Sequence, residues 1–122
     1  MTHNLAVALL LEDEPLISLD IELMLEDAGF AVTTAVSCKA AADSLATFRP
    51  DIAIVDIVLK DEPCLVIVER LIEAGVPFIV HSGDFASMHV GTPFAHGRWI
   101  NKPAAPGALA QAARALLAAP SL

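Results

Sequence analysis

Apolar runs of strand length alternate with segments of helical period along this chain, and that alternation limits the fold more than any other feature of the sequence. Leu5 to Leu11 is uninterrupted, as expected of a strand covered on both faces of a parallel sheet. From Pro15 to Ala28, residues Ile17, Ile21, Met24, Leu25 and Ala28 recur at helical spacing, Ser18, Glu22 and Glu26 line another face, and Gly29 stops the segment. Phe30 to Val36 reads as a second strand. Ser37 then caps a helix reaching about Phe48, with Ala41, Leu45 and Phe48 inward, until Arg49-Pro50-Asp51 breaks it. Ile52 to Val55 is a third buried strand. Leu65, Val68, Leu71 and Ile72 mark a helix between about Pro63 and Ala74, stopped by Gly75, and Val76 to Val80 gives a fourth strand. Asp84 to Gly97 holds Gly91, Pro93 and Gly97, which predicts a short or irregular fourth helix. Arg98 to Asn101 is a shorter fifth strand, and Pro106 opens a last helix with Leu109, Ala112, Ala113 and Leu116 facing inward, before a short tail after Pro120.

Strands that alternate with helices connect by right-handed crossovers. The expected architecture is therefore a doubly wound α/β domain, with a five-stranded parallel sheet and helices on both faces. Ligands in such sheets bind beyond the carboxyl ends of the strands. Glu12 and Asp13 follow the first strand, Asp56 the third, Ser82 the fourth and Lys102 the fifth. Three carboxylates placed together repel one another, and at least one would keep its proton unless a cation compensates. Mg²⁺ takes carboxylate oxygens, waters and phosphate oxygens, so Glu12, Asp13 and Asp56 are candidate metal ligands beside a phosphoryl group. Lys102 supplies a mobile positive charge for phosphoryl oxygens, and the Ser82 hydroxyl can donate one hydrogen bond to the same group. Asp56 stands alone after a buried strand and is the candidate nucleophile, because a carboxylate can carry a phosphoryl group covalently.

Composition excludes several functions. In 122 residues, 56% are hydrophobic and 18% charged, which suits one compact domain and not a disordered chain. Fifteen acidic residues against seven basic ones give a net charge of −8, which repels phosphate backbones and argues against nucleic-acid binding. No apolar run approaches the roughly 20 residues of a membrane span, and no basic stretch precedes the first run, so a cytoplasmic protein without a membrane anchor is expected. Cys38 and Cys64 have neither the number nor the spacing of a disulfide framework or a zinc site, and read as small core hydrophobes without a chemical role. His81, His89 and His96 lack metal-ligand spacing and read as surface or packing residues.

The segments Leu10-Leu11-Glu12-Asp13-Glu14-Pro15, Asp51-Ile52-Ala53-Ile54-Val55-Asp56, His81-Ser82-Gly83 and Asn101-Lys102-Pro103 occur in this order over essentially the whole chain. Together they resemble the receiver domain of bacterial two-component response regulators. The resemblance implies a flavodoxin-like receiver fold over residues 1–122, a single domain with no output domain. It implies that Asp56 accepts a phosphoryl group from a histidine kinase or histidine phosphotransfer protein. Glu12, Asp13 and Asp56, with the backbone carbonyl of Val58, would hold Mg²⁺, while Ser82 and Lys102 would contact the acyl phosphate. A cis Lys102–Pro103 peptide is also implied. So is a switch in which the Ser82 hydroxyl moves toward the phosphoryl group and Trp99, three positions before the lysine, turns inward. Ser82 stands where the family often has Thr, and Lys60 and Cys64 replace a common proline and glycine, which gives that loop its own shape.

The function expected from these residues is that of a single-domain response regulator. It signals by altered protein binding, relays phosphoryl groups or acts as a phosphate sink, through a downstream protein the sequence does not name and with a homodimer left open. It is not expected to be an enzyme beyond its own phosphorylation and dephosphorylation. A phosphohydrolase similar to the haloacid-dehalogenase superfamily is the alternative, but that family has a second Asp two residues after its nucleophile, where this chain has Val58. A second alternative, an unphosphorylated adaptor, does not require the acidic trio and lysine. By family analogy Val58 and Asp84 flank the path of hydrolytic water, with Asp84 able to orient it and Val58 not.

Overall fold

The structure is a computed structural model that describes residues 5–60 and 62–118. Its elements run β1 (Ala6–Leu11), α1 (Pro15–Asp27), β2 (Phe30–Ala35), α2 (Cys38–Thr47), β3 (Ile52–Val55), β4 (Val58–Leu59), β5 (Glu62–Pro63), α3 (Leu65–Glu73), β6 (Phe78–Ser82), β7 (Arg98–Asn101) and α4 (Ala108–Ala118). Five strands form one sheet in the order β2-β1-β3-β6-β7, every neighbouring pair parallel. The small β4-β5 pair is an antiparallel hairpin beside it. No helix among the described residues is long and apolar enough to cross a membrane.

Because strand side chains alternate between faces, each apolar run fills two cores. Leu9, Leu11, Val55 and Val80 point to one side, where Ile67, Val68 and Leu71 of α3 and Phe94 cover them. Ala8, Leu10, Ile54 and Ile79 point to the other, under Ile21 and Leu25 of α1 and Leu109, Ala112 and Ala113 of α4. Ser37 caps α2 as expected, its hydroxyl accepting from the Ala40 N–H at 3.0 Å.

Several sequence expectations need correction. In α3 the inward residues are Ile67, Val68 and Leu71, whereas Leu65 and Ile72 are 37% and 39% exposed. The fourth long strand starts at Phe78 and runs through Ser82, because Pro77 has no N–H to donate to the ladder, although its carbonyl accepts from Ala53 N–H at 3.1 Å. On the polar face of α1, Ser18 is buried, and its hydroxyl donates to Glu22 Oε2 at 3.0 Å, an oxygen that also accepts from the Thr34 hydroxyl. Pro106 lies in a turn before α4. The tail expected after Pro120 lies outside the described residues.

Residues 84–97 are irregular as expected, with short 3₁₀ turns at Ala86–His89 and Pro93–His96. Gly97 has a further reason to be glycine. A Cβ there would lie 2.6 Å from Phe78 Cδ2 and 2.9 Å from Val80 Cγ2, so the segment re-enters the sheet where only a hydrogen fits.

The cysteines are the largest correction: Cys38 and Cys64 are joined in a disulfide, with their Cα atoms 5.5 Å apart across a sequence separation of 26. Spacing along the chain did not reveal the pair because the crossover through β3 is what brings the start of α2 beside the residue preceding α3.

Candidate functional site

The strand order reverses between β1 and β3, and the crevice beyond their carboxyl ends is where this fold accepts ligands. Leu11 pairs with Val55, so the residues that leave the two strands emerge together, and the Asp56 N–H donates to the Leu11 carbonyl at 3.1 Å. Glu12, Asp13 and Asp56 each place a carboxylate oxygen there, all within 4.8 Å of one another. Lys102 reaches in from the end of β7, its Nζ donating to Asp56 Oδ2 at 2.8 Å and to Glu12 Oε1 at 3.1 Å. Glu12 is almost fully buried, and its second oxygen accepts from the Glu14 N–H at 3.2 Å.

Burial alone would lower the Lys102 pKa, but the hydrogen bond and charge of Asp56, with those of Glu12, raise it above the usual lysine value. The ammonium therefore persists across the neutral range. Three carboxylates still face one ammonium, and a set made only of oxygen donors with surplus negative charge fits a hard divalent cation such as Mg²⁺.

The loop after Asp56 has its own shape. Lys60 adopts a φ of 52°, a region uncommon for non-glycine residues, and in that conformation its N–H donates to Asp13 Oδ2 at 2.8 Å. Val58 is 44% exposed at the start of the small hairpin, and the Lys102–Pro103 peptide is cis.

Ser82 comes to the same edge, buried at the end of β6. Its hydroxyl oxygen accepts from the Asp84 N–H at 3.0 Å, and its carbonyl accepts from the Lys102 N–H at 2.8 Å. Trp99, half-buried on β7, donates its indole N–H to the Asp84 carbonyl at 3.1 Å, and Asn101 Nδ2 donates to the same oxygen at 2.8 Å. The Asp84 carboxylate meets His89 Nε2 at 2.9 Å, and the His89 ring stacks on Trp99 at 5.5 Å between centroids and meets Phe94 edge-on at 5.9 Å.

A sequence profile of the response regulator receiver domain matches residues 8–114. The chain belongs to that family. The receiver superposes with a TM-score of 0.82 on a CheY-like response regulator receiver domain protein from Methanospirillum hungatei, at 21% identity over 93% of this chain and 94% of that one. The receiver domain of a sensor histidine kinase from Pseudomonas aeruginosa, solved with a magnesium ion coordinated in its active-site cleft, gives a TM-score of 0.81 at 20% identity, over 95% and 100% of the two chains. A CheY-like receiver domain from Methylobacillus flagellatus gives 0.78 at 23% identity, over 93% and 99%. These likenesses show a shared fold. No curated protein sequence matches the chain significantly.

Two histidines of this receiver have more specific surroundings than their spacing suggested. His89 is bound to Asp84 and stacked on Trp99, while His96 is exposed. The signal for His89 was its position five residues after Asp84, within reach once a 3₁₀ turn forms. His81 points to the α1/α4 side of β6 and is only 5% exposed, with neither ring nitrogen bonded to any described residue. It borders a cleft of about 370 Å³ shared with Ile17, Ile21, Met24, Leu109 and Pro103. Burial, aided by the nearby Lys102 charge and opposed by Asp56, lowers its pKa to about 4, so the ring is neutral at pH 7.

Proposed function

We propose that this receiver is a phosphorylation-controlled switch in which Asp56 takes a phosphoryl group from a phosphohistidine on a histidine kinase or phosphotransfer protein. The observation that supports it most is the convergence of Glu12, Asp13, Asp56 and Lys102 at the one sheet edge where the strand order reverses. An Asp56 carboxylate oxygen attacks phosphorus, the P–N bond breaks, and the histidine of the donor leaves with the electron pair. Glu12, Asp13 and Asp56, with the Val58 carbonyl, would hold Mg²⁺, which when bound offsets negative charge on the transferring group. Lys102 exchanges its hydrogen bond to Asp56 for one to a phosphoryl oxygen while Glu12 keeps it oriented.

The Ser82 hydroxyl, engaged by the Asp84 N–H, turns toward the phosphoryl group, and Trp99 moves inward as its tie to the Asp84 carbonyl is released. Partner binding follows from that displacement. Hydrolysis is slow because Val58 cannot orient water and the Asp84 carboxylate is held by His89. The chain therefore turns over no external phosphomonoester, and it acts in the cytoplasm where its phosphodonor presents the histidine.

The test is incubation with acetyl phosphate and Mg²⁺. Intact mass should rise by one phosphoryl group, hydroxylamine should remove it, and Asp56→Asn should abolish it. A phosphorylated Asp56→Asn chain, or turnover of p-nitrophenyl phosphate, overturns the assignment.

A further inference from the structure

We propose that Cys38 and Cys64 form a reversible redox-modification site, closed to a disulfide by a hydroperoxide and reopened by a dithiol, that fixes or frees the loop carrying Asp56. Its consequence for phosphoryl chemistry rests on the acceptor role proposed above. Three observations carry it. The bond joins the first residue of α2 to the residue preceding α3, so it clamps the far end of the segment that begins at Asp56. Otherwise that segment is tied across its surface by a two-residue hairpin and by the Lys60 N–H on Asp13, a candidate metal ligand. Finally, the same side of the sheet already buries Leu9, Leu11, Val55, Leu59, Val68, Leu71 and Val80, a core that a chain of this size builds without a cross-link. A disulfide that this core does not need for its size, in a receiver proposed above to act in the cytoplasm, belongs with transient regulatory bonds more than with structural ones.

The two sulfurs have different access. Cys64 is 2% exposed, whereas Cys38 is half-buried, so reagents meet Cys38 first. Its thiolate attacks a hydroperoxide oxygen, the O–O bond breaks, and the departing alkoxide takes up a proton to leave an alcohol and a Cys38 sulfenic acid. The Cys64 thiol then attacks that sulfur. The S–S bond forms, and the sulfenic oxygen leaves as water with the Cys64 proton. Two thiols and one hydroperoxide thus give one disulfide, one alcohol and one water. In the reverse direction a dithiol attacks Cys38, Cys64 leaves as a thiolate at the positive end of α3, and the second thiol of the reductant resolves the mixed disulfide.

With the bond closed, the backbone of the loop holds Lys60 against Asp13 and keeps the acidic trio in register. With it open, that backbone gains freedom, and the Asp13 oxygen loses its fixed position.

The experiment compares the full chain treated with hydrogen peroxide against the same chain in dithiothreitol. After denaturation, the oxidised form should take up no N-ethylmaleimide and the reduced form two equivalents. Hydrogen exchange over residues 57–64 should be about tenfold faster in the reduced form, and Mg²⁺, titrated by Trp99 fluorescence, should bind roughly fivefold more weakly. Cys38→Ser, a near-isosteric change at the more exposed position, should match the reduced form with or without peroxide. Cys64→Ala should do the same and guards against an effect peculiar to serine. Two equivalents of N-ethylmaleimide bound after peroxide, or equal exchange over 57–64 in both forms, overturns the proposal. Absence of phosphoryl uptake in either form, with exchange still redox-dependent, removes the acceptor role and leaves the redox site supported.

Discussion

Two connections flank Asp56, and they are built differently. Residues 57–64 are short, with Ile57, Leu59 and Cys64 buried, and they are closed by a hairpin, a backbone hydrogen bond to Asp13 and a disulfide. Residues 83–97 are longer and turn outward, leaving Phe85, Met88 and Val90 at 69%, 63% and 77% exposure. The second connection is secured by Phe94, by the close entry at Gly97 and by polar ties that meet at Asp84. Apolar burial, and the disulfide while it is closed, have no cheap alternative arrangement, whereas partly exposed hydrogen bonds and ring stacks can be exchanged for water at a cost of about 1 kcal/mol each. The first connection therefore suits holding a reacting group, and the second suits responding to it.

The contrast can be broken from either side. The largest effect is expected from Leu59→Ala, which empties a fully buried position in the first connection and should cost about 3 kcal/mol in urea unfolding. A loss below about 1 kcal/mol would mean the first connection is not locked by its core. Gly97→Ala should cost about 2 kcal/mol, because its methyl enters the space of Phe78 and Val80. Near-wild-type stability in that variant would show the second connection to be loose at its root as well.

His81 tests the strand that feeds the second connection. Its ring titrates near 6.5 when unfolded and near 4 when folded, so between those values the unfolded chain binds more protons. The stability this adds is complete above about pH 6.5 and is lost as pH falls toward 4, by roughly 3 kcal/mol. His81→Leu should flatten this part of the profile relative to the wild type, and parallel profiles would remove His81 from the acid response.

The smallest effect is expected from His89→Ala. Loss of one stack and one partly exposed pair should lower stability by about 0.5–1 kcal/mol while shifting Trp99 emission to the red as water reaches the indole. Unchanged emission would show that His89 does not hold the tryptophan.

Much of the candidate site was legible because strand ends are legible. A run such as Ile52 to Val55 is long enough to be a buried strand and no longer, so the residue that follows it, Asp56, must emerge at the sheet edge. The same reasoning located Glu12, Asp13 and Lys102, and the glycines and proline of 84–97 announced an irregular segment. Details that depend on lateral neighbours were not legible. The helical period puts Ser18 on the face of Glu22 but not Thr34 beside both, and it counts Leu65 and Ile72 in the α3 stripe although both are more than a third exposed.

The sequence alone determined the order of the five sheet strands and four helices and the edge on which the carboxylates and lysine gather, because periodicity and strand length are local properties of a chain. Tertiary structure alone decided that Cys38 meets Cys64, that His89 closes on Asp84 and Trp99, and that Gly97 lies against Phe78. The reason is geometric: each depends on how far one crossover or loop carries the backbone toward another, a distance set by packing of the whole sheet and not by the residues that finally touch.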